Sequence, residues 1–94
     1  MDRRGVPLAI DVQTDFLSPR ETRVLVPLGT IERFGAQAVD RLNPTIRVDG
    51  EDYVLRTDEI ASVPTRALGP VVENIEARHR DEITAALDFL FQGF

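Results

Sequence analysis

The sequence predicts a mainly β domain that ends in an α-helix. Three observations predict it. Two stretches near the start alternate apolar and polar residues, an Asp49-Gly50 pair sits between two more strand-like runs, and the pattern changes to a helical period near the end.

Val6 to Gln13 opens the order of elements. Val6, Leu8, Ile10 and Val12 point one way and Ala9, Asp11 and Gln13 the other, the signature of a half-buried strand. Ser18-Pro19 marks a turn. Thr22 to Leu28 alternates again, with Val24, Val26 and Leu28 sharing a face. Pro27 cannot donate to a ladder, so it ends this strand or places it at an edge. From Gly29 to Arg41 the pattern loosens. Thr30, Gly35 and the small Ala36 and Ala38 suggest a loop with a short helical turn.

The hairpin signal is TIRVDGEDYVLR. A two-residue type I′ turn needs positive φ at both positions, which Asp49-Gly50 supplies. The register follows: Val48 opposite Glu51, Arg47 opposite Asp52, Ile46 opposite Tyr53. Ile46, Tyr53, Val48 and Leu55 belong on the buried face, and Arg47–Asp52 is a solvent-side pair. Asn43-Pro44 limits how far back the strand can pair. Ile60 to Val63 reads as one more short strand stopped by Pro64, and Leu68-Gly69-Pro70 as a turn. Ile83, Leu87, Leu90 and Phe91 then stand at i, i+4, i+7 and i+8, an amphipathic helix stripe. Asp81 and Glu82 sit near its expected start, where the helix dipole favours them, and Gly93 can end it.

Length and composition bound the rest. Ninety-four residues with a 43% hydrophobic fraction suit one domain, residues 1–94. Such a chain buries roughly 60–65% of its unfolded surface, a thin core of the kind that a partner protomer often supports. There is no cysteine, so disulfides, thiolate metal sites and thiol nucleophiles are excluded. No apolar run approaches the ~20 residues that span a bilayer. The net charge is −5, and the eleven basic residues, all arginine, are scattered rather than gathered in a stripe that could grip nucleic acid.

Little points to chemistry. His79, the single histidine, reads as a solvated residue beside arginines, with no partner ligands at metal spacing. Ser18 and Ser62 lie in turn-like contexts without a nucleophile elbow. Glu51-Asp52 and Asp58-Glu59 read as turn-flanking carboxylates rather than acid–base pairs. The glycines are dispersed, so no phosphate-cradling loop is present. The expectation is no catalytic residue, no metal and no cofactor, and by elimination a binding role.

Four stretches together resemble the CcdB family of bacterial toxins: LAIDVQTDFL, TRVLVPL, EDYVLRTDEIASVP and EITAALDFLFQGF. They come in the family's order at similar spacing, from about Leu8 to Phe94. The resemblance implies a small SH3-like antiparallel barrel of the CcdB/MazF type with a C-terminal helix, forming a cytoplasmic homodimer. It implies a toxin that binds the A subunit of DNA gyrase and traps the gyrase–DNA cleavage complex, cutting no bond itself. A CcdA-like antitoxin neutralises it, and the pair represses its own operon, touching DNA only through that complex. In the family the end of the C-terminal helix carries the gyrase contact and reads Phe-Trp-Gly-Ile in the best-known member. The matching positions are Phe91, Gln92, Gly93 and Phe94. An asparagine on the family helix matches Asp88, and an apolar pair after the first strand matches Phe16 and Leu17.

Two departures qualify these expectations. Gln92 stands where the family has tryptophan, and losing an aromatic anchor costs ~2 kcal/mol or more of binding. The family also has one more strand ahead of the equivalent of Val6, so the resemblance implies either a gene start placed too late or an open strand edge, an aggregation liability. Two alternatives stand beside the gyrase reading: a MazF-like endoribonuclease on the same barrel, and a decayed toxin homologue that binds antitoxin without poisoning gyrase.

Overall fold

A computed structural model describes residues 8–12, 21–69 and 77–93. Within them, five strands form one antiparallel sheet: β1 (Leu8–Asp11), β2 (Thr22–Thr30), β3 (Thr45–Val48), β4 (Glu51–Leu55) and β5 (Ala61–Pro64). A helical turn, α1 (Ile31–Phe34), and a 3₁₀ turn (Gly35–Gln37) follow β2. Two more 3₁₀ turns, Thr57–Glu59 and Thr65–Ala67, flank β5, and α2 (Ala77–Gln92) closes the described chain. The order β1-β2-β4-β3, with β5 also on β2, makes a half-barrel mainly of β structure with a C-terminal helix.

The hairpin has the register its turn dictates. Asp49 and Gly50 have φ of 54° and 84°, as a type I′ turn needs. Val48 pairs with Glu51, Arg47 with Asp52 and Ile46 with Tyr53. Ile46, Val48, Tyr53 and Leu55 are buried in one cluster with Ile10, Val26, Ile83 and Ala86. The solvent-side ion pair between Arg47 Nη1 and Asp52 Oδ1 spans 3.0 Å. The alternation in β1 also holds: Ile10 is buried and Leu8 and Val12 pack on the core, while Ala9 and Asp11 are exposed. Val6, Pro7, Gln13 and Ser18-Pro19 lie outside the described residues, as does Pro70 of the Leu68-Gly69-Pro70 turn.

Pro27 corrects the sequence reading. It neither ends its strand nor marks an edge, because β2 runs on to Thr30 at the centre of the sheet. Backbone groups in a strand face alternate sides. The Val24 carbonyl faces β1, where it accepts from the Val12 N–H at 3.0 Å, and the Pro27 carbonyl faces the other way, where it accepts from the Arg56 N–H at 2.9 Å. On that side β2 pairs with β5 over 22–25 and with β4 over 28–30. The missing N–H of Pro27 therefore falls in the gap where β2 changes partner and costs no ladder bond.

Three boundaries move for similar local reasons. The helical turn expected after Gly29 begins at Ile31, capped by the Thr30 hydroxyl, which accepts from the Arg33 N–H at 3.2 Å. The short strand lies at Ala61–Pro64 rather than Ile60–Val63. Pro64 is its last residue, opposite Thr22, and the 3₁₀ turn follows. The described helix begins at Ala77, so Asp81 and Glu82 lie a turn inside it rather than at its start.

Val54 shows a second buried face that the alternation did not reveal. It points away from Tyr53 and Leu55 and is nonetheless buried, because α1 packs across β2 and β4 on that side. At Gly29 the same packing leaves no room for a side chain: a Cβ there would be driven into the Phe34 ring. Asn43 ties this corner together. Its Oδ1 accepts from the Val39 N–H at 3.0 Å, and its Nδ2 donates to the Leu55 carbonyl at 3.0 Å and to Asp58 Oδ1 at 3.1 Å.

Candidate functional site

The site is built on the last turn of α2. At about 100° per residue, Ala86, His79, Leu90, Ile83 and Leu87 fall within an arc of roughly 100°. His79, Ile83 and Ala86 are buried and Leu87 and Leu90 half-buried, so this arc is the face laid on the sheet. Phe91 lies roughly 40° beyond one edge of the arc and Phe89 roughly 60° beyond the other, while Asp88 and Gln92 share the opposite face.

Phe91 is the correction here. The stripe of Ile83, Leu87, Leu90 and Phe91 placed it among core-facing residues, yet it is 71% exposed. The buried arc is centred between Ala86 and Ile83, and Ala86 is fully buried. A stripe counted only on large apolar residues omits Ala86 and is rotated toward Phe91. His79 is corrected too: it lies on the buried arc, not in solvent.

Phe89 finds its second surface against Arg41, whose guanidinium lies 4.8 Å from the ring centroid. Such a contact at a part-exposed position contributes about 0.5–1 kcal/mol. Sequence spacing does not name Arg41. It only shows that Phe89 is off the stripe and needs a neighbour.

The helix ends as Gly93 permits. Its φ is 82°, and its N–H donates to the Phe89 carbonyl at 2.9 Å, closing the last turn. Gly93 thus leaves the helical conformation immediately after Phe91 and Gln92. Asp88, Phe91, Gln92 and Gly93 are all exposed and lie within this one turn. The last turn carries no basic side chain, so the negative end of the helix and the Asp88 carboxylate act together. The tip thus offers an aromatic ring beside negative potential, a surface that suits a partner with an apolar recess and a cation. Phe16, Leu17 and Phe94, the other residues that the resemblance assigns to the contact, lie outside the described residues.

The carboxylate pairs are used for architecture. Asp52 holds Arg47, Asp58 accepts from Asn43, and Glu59 Oε1 lies 3.5 Å from Arg56 Nη2. The Arg56 guanidinium stacks on Phe34 at 4.0 Å, in a cavity of about 150 Å³ that Asn43, Val54, Asp58 and Glu59 also line. Among the described residues no group of three His, Asp or Glu side chains could hold a metal ion, and no helix is long and apolar enough to cross a membrane. A model of the CcdB protein family matches residues 1–93 of the chain.

Proposed function

The chain belongs to the CcdB family, the toxins of toxin–antitoxin systems, and from that premise we propose that it binds the A subunit of DNA gyrase through the last turn of α2. In this reading Phe91 is the anchor, Asp88 and Gln92 supply polar contacts beside it, and Gly93 sets the direction in which the chain leaves the helix. Bound there, the toxin holds gyrase on its own cleaved DNA. It works as a cytoplasmic homodimer, and a CcdA-like antitoxin neutralises it and carries the DNA contact in autorepression.

One observation supports the reading above the others. Phe91 is 71% exposed, more than any other large apolar side chain among the described residues, and the resemblance aligns it with the first position of the family's contact motif. Water-exposed phenylalanine forgoes roughly 1.5–3 kcal/mol of burial, which a partner's recess can supply.

Expression in a bacterium tests it. The full chain is expected to arrest growth and to co-purify with gyrase, and both effects should vanish when residues 92–94 are deleted or when Phe91→Ala is introduced. Normal growth in every case, or equal arrest in all three, contradicts the reading. Gln92 in the family's tryptophan position favours one other outcome, a homologue that binds antitoxin tightly and leaves growth unaffected.

A further inference from the structure

β3 is the last strand in the sheet order, so among the described residues its outer side has no strand partner. In a two-residue hairpin the residues next to the turn exchange hydrogen bonds, and backbone groups alternate from there. Val48 and Ile46 therefore bond inward to β4, while Arg47 and Thr45 direct their backbone groups outward. The Arg47 N–H points to the helix. It lies 3.4 Å from Nε2 of His79, on the buried face of α2. The other ring nitrogen, Nδ1, is 2.7 Å from Glu82 Oε1 in the next turn of the same helix.

These two contacts select one form of the ring. A backbone N–H only donates, so Nε2 must carry a lone pair. An ionised carboxylate only accepts, so Nδ1 must carry the proton. The neutral Nδ1–H tautomer satisfies both neighbours. The Nε2–H tautomer sets donor against donor at Arg47 and leaves Nδ1 facing a carboxylate.

We propose that His79 is a positioning residue that seats α2 on the outer edge of β3, and that Glu82 fixes the tautomer with which it does so. The pair performs two tasks. It satisfies the one outward N–H at the middle of the edge, which removes a template for strand addition. It also fixes the axial position of α2 against the hairpin, and so the place where the exposed turn at 88–93 is presented, whichever partner that turn meets. The other charged group on this stretch of β3, the Arg47 guanidinium, is engaged by Asp52 of β4, which leaves the Arg47 N–H to the imidazole.

Nitrogen NMR of the wild-type ring reads the tautomer without any substitution. The expected result is Nδ1 protonated and Nε2 bare; an Nε2–H ring overturns the proposal. Amide hydrogen exchange supplies the second reading. Glu82→Leu frees the tautomer and should speed exchange of the Arg47 amide about tenfold, the factor that one ordinary hydrogen bond makes, while the inward Ile46 amide stays protected. His79→Gln, whose side chain can accept from Arg47 and donate to Glu82, should retain most of the protection that His79→Ala loses. Equal exchange at Arg47 in the wild type, Glu82→Leu and His79→Ala overturns the assignment.

Discussion

In the first turns of α2, His79, Ile83 and Ala86 are 4%, 8% and 0% exposed; at its last turn Phe91 is 71% exposed. The two regions belong to one helix and differ in what each side chain can reach. The first rests on the edge of β3 and the cluster of Ile46, Val48, Tyr53 and Leu55. The second presents a large ring to solvent beside a negative helix end. A stripe of apolar residues on a helix is therefore not one functional unit. Part of it stabilises the fold, and part is surplus to the core and free to serve a partner.

Substitutions can separate the two regions, and the largest effect belongs to the moored one. Ile83→Ala removes buried methylenes from the cluster and is expected to cost about 3 kcal/mol of stability in urea unfolding. Its effect on partner binding should scale with the loss of folded protein. Phe91→Ala should behave in the opposite way. Stability should change by no more than about 0.5 kcal/mol, while affinity for the partner drops by about 2 kcal/mol in titration calorimetry.

A smaller effect tests the junction. Gly93 holds a positive φ, although a Cβ there would meet nothing within 4 Å. Gly93→Ala should therefore cost about 1 kcal/mol through backbone conformation alone, read as faster hydrogen exchange in the last turn of α2. At the moored side, Thr57 packs in the 3₁₀ turn against α2, and its fully buried hydroxyl has no hydrogen-bond partner among the described residues. Thr57→Val keeps the shape and removes the unpaired group, so thermal melting should show a gain of up to about 1 kcal/mol. Smallest of all, Asp52→Ala breaks only the exposed pair with Arg47 and should change stability by no more than about 0.5 kcal/mol.

These contrasts also show how far the sequence could be read. The hairpin was legible to the residue, because the φ demands of Asp49-Gly50 fix the pairing without reference to the rest of the fold. The alternating strands were legible in kind. Pro27 was not, since its cost depends on which side of β2 its nitrogen faces and on whether a partner is present there, both tertiary facts. His79 was misplaced because its polarity suggests water, whereas burial is permitted when both ring nitrogens find partners. Those partners, Arg47 and Glu82, become visible only once α2 is laid on β3. Phe91 was misplaced because Ala86, a small residue with a weak apolar signal, is fully buried and shifts the buried arc away from it. The composition of the candidate contact turn came from the resemblance, while the exposure of Asp88, Phe91, Gln92 and Gly93 came from the structure. Arg41, the partner of Phe89, had no signal in the spacing at all.

The central claim is that one helix is divided into a seated part and an offered part. Hydrogen-exchange footprinting of the chain with and without purified DNA gyrase tests it most directly. The account predicts added protection confined to residues 88–93, with residues 79–87 unchanged because the core already protects them. Added protection along the Ile83 and Ala86 segment with none at the last turn would contradict it.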